Sequence, residues 1–250
     1  MMNSRTYSDL YNQIESLEGL EGLSRKFEVD RETLEVIYTQ KVIRETKQKY
    51  YSVQKKIKDL AGRWYDGESL FQISKSLDFS PVLTASIVLQ SLGVGKKEVQ
   101  AYMRDPSSIS NLRIRSNIKE CITHEFVYSP AGNRRQTDRG KRSEEAIKNW
   151  LLRKKIGFMT EKEAQRKNYE KTPDFLLEGS LNIDGHRANW VESKASFGDR
   201  KEVQRDYEKQ LKHYVRLFGP GMTIYWYGLI DDIVIEDSIL LRTRDVLERH

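Results

Sequence analysis

Apolar residues recur three and four positions apart over residues 1–124, and only after about residue 129 do they alternate in the manner of strands. A chain patterned this way is neither all-β nor one continuous bundle. It predicts an α + α/β protein: an all-helical domain over 1–128 and a mixed, strand-bearing domain over 129–250. The length of 250 residues agrees, since a domain averages about 150. Charged residues make up 32%, and no run of about 20 apolar residues interrupts them, which excludes a membrane-spanning class. Aromatics at 10% argue against disorder, which has little to bury. The opening residues turn acidic and polar at once, so no secretory leader is expected. With one cysteine, Cys121, there is no internal disulfide, and a reducing compartment, cytoplasmic or nuclear, is expected.

Within the first half, Leu10, Ile14 and Leu17 open the helical pattern, and Asp30 is placed to cap a long helix from Arg31. Leu70 to Leu77, a short turn, and Ser80-Pro81 leading a second helix to Leu92 have the rhythm of a helix-turn-helix. The second helix carries no charge and offers only Thr84, Ser86, Gln90 and Ser91. A groove-reading helix normally presents Arg, Lys, Asn or Gln to base edges, so a structural or backbone-contacting role competes with base reading. Basic charge gathers elsewhere. Lys41, Arg44, Lys47, Lys49, Lys55, Lys56 and Lys58 surround Tyr50 and Tyr51, and Arg134, Arg135, Arg139, Lys141 and Arg142 sit near the join. Each run is either a solvated face or a phosphate-binding one; two such runs favour a nucleic-acid partner.

From Ser129-Pro130 a polar stretch reads as a linker, followed by a helix over 142–155 and a short strand over 157–160. A strand pair over 173–180 and 187–195, a helix over 199–217, a strand over 222–228 and a last strand over 232–236 complete a small mixed sheet. Thr172-Pro173-Asp174 leads into one strand, and Glu192-Ser193-Lys194 ends its neighbour. Alternation sets Glu192 and Lys194 on one face and Ser193 on the other. An Asp and a Glu on adjacent strands can share a hard divalent cation, and a Lys beside them can orient water or stabilise charge on phosphorus. The bland alternative is an ordinary Glu–Lys pair. Glu144 borders the stripe of Ile147, Trp150 and Leu151, and Gln210 interrupts the apolar row Val203, Tyr207, Tyr214 and Phe218. Asp184-Gly185 is a natural tight turn, but that register sets Asp174 opposite Ala195, so an irregularity is predicted between 180 and 188.

Glu144, Pro173-Asp174 and Glu192-Ser193-Lys194 occur in the order of the motifs of the PD-(D/E)xK, restriction-endonuclease-like nucleases, which the chain resembles. Gln210-Leu211 with Tyr214 is similar to the element that follows the catalytic strand in RecB-like members. Phe218-Gly219-Pro220-Gly221 and Ile224-Tyr225-Trp226-Tyr227-Gly228 narrow the resemblance to the codanin-interacting nuclease, or TPD-motif, family. The resemblance is strong over about 140–230 and weaker before it. It implies a restriction-endonuclease-like mixed β-sheet core flanked by helices, and Mg²⁺-dependent hydrolysis of phosphodiesters, Mn²⁺ being a substitute. Asp174, Glu192, the Ser193 backbone and Glu144 are the implied metal group. Lys194, Gln210 and Tyr214 join Glu144, Asp174 and Glu192 as catalytic. Lys41, Arg44, Lys47, Lys55, Lys56, Arg134, Arg135, Arg139, Lys141 and Arg142 are expected on nucleic acid, with DNA, in junction or flap form, as the expected substrate. A homodimer and a protein partner are further expectations. The alternative is a catalytically silent nuclease-fold DNA-binding or scaffold protein. A sequence-reading helix-turn-helix regulator is disfavoured by the uncharged second helix.

Overall fold

The computed structural model describes residues 1–249. In chain order it begins with α1 (Ser4–Gln13), α2 (Leu20–Phe27), α3 (Arg31–Lys55), α4 (Ile57–Tyr65) and α5 (Leu70–Ser76). Then come α6 (Pro81–Ser91), α7 (Lys96–Arg104), α8 (Leu112–Thr123) and α9 (Pro130–Arg153). The sheet-bearing part follows as β1 (Phe158–Thr160), α10 (Glu161–Arg166), β2 (Phe175–Ile183) and β3 (His186–Lys194). It ends with α11 (Arg200–Asp206), α12 (Lys212–Phe218), β4 (Gly221–Tyr225), β5 (Ile239–Thr243) and α13 (Val246–Arg249). Among the described residues no helix is long and apolar enough to cross a membrane.

The fold is mixed α/β, in two compact units whose boundaries fall inside α3 and α9. One unit joins Met1–Tyr38 to the chain from Asp138 onward; the other is Thr39–Thr137. A boundary expected between 128 and 129 therefore lies elsewhere, and the first 38 residues belong with the sheet. The reason is burial. Tyr7, Leu10, Ile14, Leu20, Leu34 and Ile37 share one apolar cluster with Phe197, Tyr227 and Ile230.

In the helical unit α6 is central. Val82, Thr84, Ala85, Ile87, Val88 and Leu89 are all buried, which leaves Gln90 and Ser91 as its exposed side chains. α5 and α6 are consecutive helices joined by a short turn, and α6, buried on most of its circumference, offers little side-chain surface to a groove. Ser80 caps α6 and donates to the buried Glu125 carboxylate, whose other oxygen accepts the amides of Val127 and Tyr128. Cys121 is fully buried, and burial pushes its thiol up to about 12, so it is a core residue and not a nucleophile. The stretch expected as a linker after Ser129 is the start of α9. Ser129 Oγ accepts the Gly132 amide, with Pro130 in the first turn, the same Ser-Pro start that opens α6.

The sheet-bearing unit holds five strands in the order β1-β2-β3-β4-β5. β1, β2 and β3 are antiparallel, while β4 and β5 run parallel to β3. Ile147, Trp150 and Leu151 of α9 pack on the face that carries Phe175, Val191, Met222 and Ile224. Val203, Leu211 and Tyr214 cover the other, with Leu176, Trp190, Tyr225 and Leu241. The last strand is Ile239–Thr243, not 232–236. Ile239 and Leu241 bury on one face and Leu240 on the other, as a parallel strand requires, whereas Val234 is 82% exposed. Gly221 is obligatory at the head of β4, because a Cβ there would lie 2.0 Å from the Trp190 ring.

The β2–β3 register places the site. Asp184 and Gly185 both have positive φ, 52° and 81°, and form a tight turn that pairs Ile183 with His186. Between Leu176 and Leu181 the register slips, so that Phe175 faces Val191. The irregularity exists, but it lies between 176 and 181, within β2 and before the turn. Its effect is to bring Asp174 alongside Glu192 instead of Ala195.

Candidate active site

Asp174 and Glu192 are locked together through backbone amides. Asp174 N–H donates to Glu192 Oε2 at 3.1 Å, and Ser193 N–H donates to Asp174 Oδ2 at 2.7 Å. Lys194 Nζ donates to Glu192 Oε1 at 2.7 Å and to Gln210 Oε1 at 2.5 Å. Ser193 turns to the opposite face, where its hydroxyl donates to Ser143 Oγ at 2.9 Å and ties the strand to α9 beside Glu144. Among the described residues, Asp174 Oδ1 has no hydrogen-bond donor. Glu192 is 5% exposed and Lys194 15%, so the group is recessed but reachable.

The electrostatics follow from crowding acids in a partly dry pocket. Burial, and then the Glu192 carboxylate, push Asp174 up to about 8. Burial likewise raises Glu192, with Lys194 working against it. Burial opposes the Lys194 ammonium, but Glu192, Asp206 and Asp174 outweigh it and hold the lysine above its ordinary value. Lys194 is therefore a fixed cation at neutral pH. Glu144 is exposed and raised by partial desolvation and by Glu161; it feels Asp174 electrostatically and makes no hydrogen bond to it.

Tyr214 is buried with its ring edge-on to Trp190 at 5.4 Å, and burial, Glu192 and Asp174 raise its hydroxyl. The expected row of Val203, Tyr207, Gln210, Tyr214 and Phe218 is not continuous, because Tyr207–Leu211 forms a π-helical turn. That turn sends Tyr207 Oη out to Glu236 at 2.7 Å and sets Gln210 against Lys194. Asp206, absent from the sequence reading, is buried here and accepts from Tyr225 Oη at 3.1 Å. Its position four residues before Gln210, on a face otherwise apolar, was the available signal. Phe218-Gly219-Pro220-Gly221 does structural work: the carbonyls of Phe218 and Gly219 receive Asn189 Nδ2 and Trp190 Nε1.

The basic residues divide. Arg139 is 5% exposed and paired with Glu32 at 3.3 Å and Glu35 at 2.8 Å, so it is not available to nucleic acid. Arg142 is engaged by Glu32 at 2.6 Å. Arg135 lies over the Phe126 ring at 4.0 Å and donates to the Phe126 carbonyl. Arg134 and Lys141 are exposed, while Lys41 and Arg44 are half-buried. Acidic partners at helical spacing on α3 decided this, and those pairs are invisible within the basic run itself. Replacing Arg139 with alanine should cost about 3 kcal/mol, since it removes a buried cation held between Glu32 and Glu35 and leaves those carboxylates only the more exposed Arg142 and Arg31. Urea unfolding reads that loss; an unchanged midpoint would return Arg139 to the surface.

Among the described residues no three His, Cys, Asp or Glu side chains form a ready-made metal cage. Two adjacent carboxylates, one with an open oxygen, nevertheless suit a hard cation that keeps most of its waters. Raised acids signal the same need for positive charge.

The sheet and this recessed acid–lysine group define a mixed α/β protein with a buried polar centre. The model of the family described as a protein of unknown function with a TPD sequence motif matches residues 110–245, and the chain belongs to that family. It is 33% identical over 182 residues to the mouse protein named CDAN1-interacting nuclease 1, and 32% identical over 182 residues to the human protein of that name. Each match takes in 69% of this chain and 65% of the relative, so the chain spans somewhat under two thirds of those proteins. A mimivirus relative, Uncharacterized protein L539, is 30% identical over 115 residues, 44% of this chain and 42% of its own. No solved structure matches the chain.

Proposed function

We propose that the sheet-bearing unit is a restriction-endonuclease-like, metal-dependent nuclease that hydrolyses phosphodiester bonds in DNA, with junctions or flaps as preferred substrates. The observation that carries this reading is the pairing of Asp174 with Glu192 beside the charged Lys194. The mouse and human relatives, named as nucleases, support it. Asp174 and Glu192 would hold Mg²⁺, or Mn²⁺ in its place, and such an ion supplies Lewis-acid polarisation of the phosphoryl oxygen. Lys194, held protonated, orients the attacking water and stabilises the charge that develops on phosphorus as the P–O bond breaks. Gln210 fixes the Lys194 ammonium by accepting a hydrogen bond from it. Glu144 holds a water at the mouth, and Tyr214 bounds the pocket where the phosphate sits. Ser193 contributes its amide to Asp174.

The test is a cleavage panel over single-stranded, flapped and four-way DNA, with RNA alongside, in Mg²⁺ and in EDTA. Mg²⁺-dependent cleavage of one or more DNA forms is the expected result. Binding without cleavage at any enzyme concentration would leave a silent scaffold. Sedimentation of the bound and free protein tests the expected homodimer.

A further inference from the structure

The basic run that begins on α3 and continues into α4 differs from that on α9 in setting its cations around an exposed aromatic ring. Lys49 is held by Asp78, its Nζ donating also to the Asp78 carbonyl at 2.9 Å. Among the described residues Lys47, Lys55, Lys56 and Lys58 make no ion pair or side-chain hydrogen bond, although the chain carries 37 acidic residues. Tyr51 is 74% exposed, and among the described residues its one ring contact is the edge of Tyr50 at 6.0 Å. Thr46 and Val53 are buried and Tyr50 half-buried, so the opposite face of α3 carries Lys47, Tyr51 and Lys55 at steps of four. The two lysines stand about 12 Å apart along the axis with the phenol ring between them. A solvated helix face needs no aromatic there, since an exposed phenol ring leaves apolar surface wet.

We infer that Lys47, Tyr51 and Lys55 form a binding strip for single-stranded nucleic acid, on which one unpaired base stacks on the Tyr51 ring while flanking phosphates meet the two ammonium groups. Base stacking on an exposed aromatic requires a base already out of a duplex, and the lysines track the backbone without regard to sequence. An anionic membrane fits less well, because the same face otherwise carries Gln48 and Gln54 and has no apolar companion to insert. The inference rests on the nucleic-acid partner proposed above and not on hydrolysis.

Anisotropy titrations of the full chain in EDTA, with labelled oligothymidylate and with a duplex of equal length, test it. Tyr51→Ala should weaken the single strand about 10-fold and leave the duplex unchanged. Tyr51→Phe should bind as the parent does. Lys47→Gln with Lys55→Gln should lower the slope of log affinity against log salt by about 1.4. Equal losses on both oligonucleotides, no loss with Tyr51→Ala, or Tyr51-dependent binding to phosphatidylserine vesicles in place of DNA would overturn the strip. Absent cleavage in Mg²⁺ with the Tyr51 effect intact would sink only the hydrolytic reading, and cleavage without the Tyr51 effect would sink only the strip.

Discussion

Lys194→Met should slow Mg²⁺-dependent cleavage at least about 100-fold while DNA binding in Ca²⁺ survives, because one preorganised charge at a developing anion is worth that much. Lys194 is suited to the role by its environment. Its ammonium is held between Glu192 Oε1 and Gln210 Oε1, and the neighbouring carboxylates keep it protonated. Methionine keeps the bulk and deletes the charge. It also leaves Glu192 recessed without a cation, which costs on the order of 3 kcal/mol unless that carboxyl takes up a proton. Unfolding must therefore be measured beside activity, at a temperature where the variant is folded. Gln210→Leu provides the second reading. It loosens Lys194 without removing charge, and should reduce cleavage about 10-fold with a smaller effect on stability. A Lys194→Met enzyme that cuts at the parental rate would remove this lysine from the chemistry.

Asp174→Asn should abolish cleavage and, in EDTA above neutral pH, make the protein more stable. Burial and Glu192 push the folded Asp174 up to about 8, against about 3.9 in an unfolded chain. A group whose folded value is raised contributes stability that is fully present below the unfolded value and lost as pH rises through the folded one. The parent should thus weaken progressively between about pH 4 and pH 8, and an uncharged amide should not. Asparagine retains an oxygen for the Ser193 amide. Discounting for the partial exposure of Asp174, the gain is about 1–2 kcal/mol, or roughly 2–8 °C in Tm for a chain of this size. Thermal scans in EDTA at pH 5 and pH 8.5 should show the two curves separating at the higher pH. Parallel curves would mean that Asp174 is not crowded by Glu192. Added Mg²⁺ should reverse the order, since the parent alone keeps both carboxylates.

Much of the local structure was written in residue patterns. Asp30 and Ser80-Pro81 marked helix starts that the structure has, and Asp184-Gly185 marked a turn whose left-handed backbone suits those residues. Counting strand register from the turn requires a defect for Asp174 to meet Glu192, and the structure has one, though within β2 between Leu176 and Leu181 and not at the turn between 180 and 188. The strand run of Ile233, Val234 and Ile235 misled, since β-branched residues suit a pleated surface only where a neighbour covers them.

What the chain determined unaided were quantities set within a few residues: caps, turn conformation and the face on which Glu192 and Lys194 fall. Partners distant in sequence decided the rest. Glu32 and Glu35 remove Arg139 from the surface, the core around α6 leaves it little side-chain surface for a groove, and the π-helical turn carries Gln210 to Lys194. The division has one physical cause. Local preferences are worth tenths of a kcal/mol to about 1 kcal/mol per residue, whereas desolvating a charge costs several, so burial overrules spacing wherever the two compete.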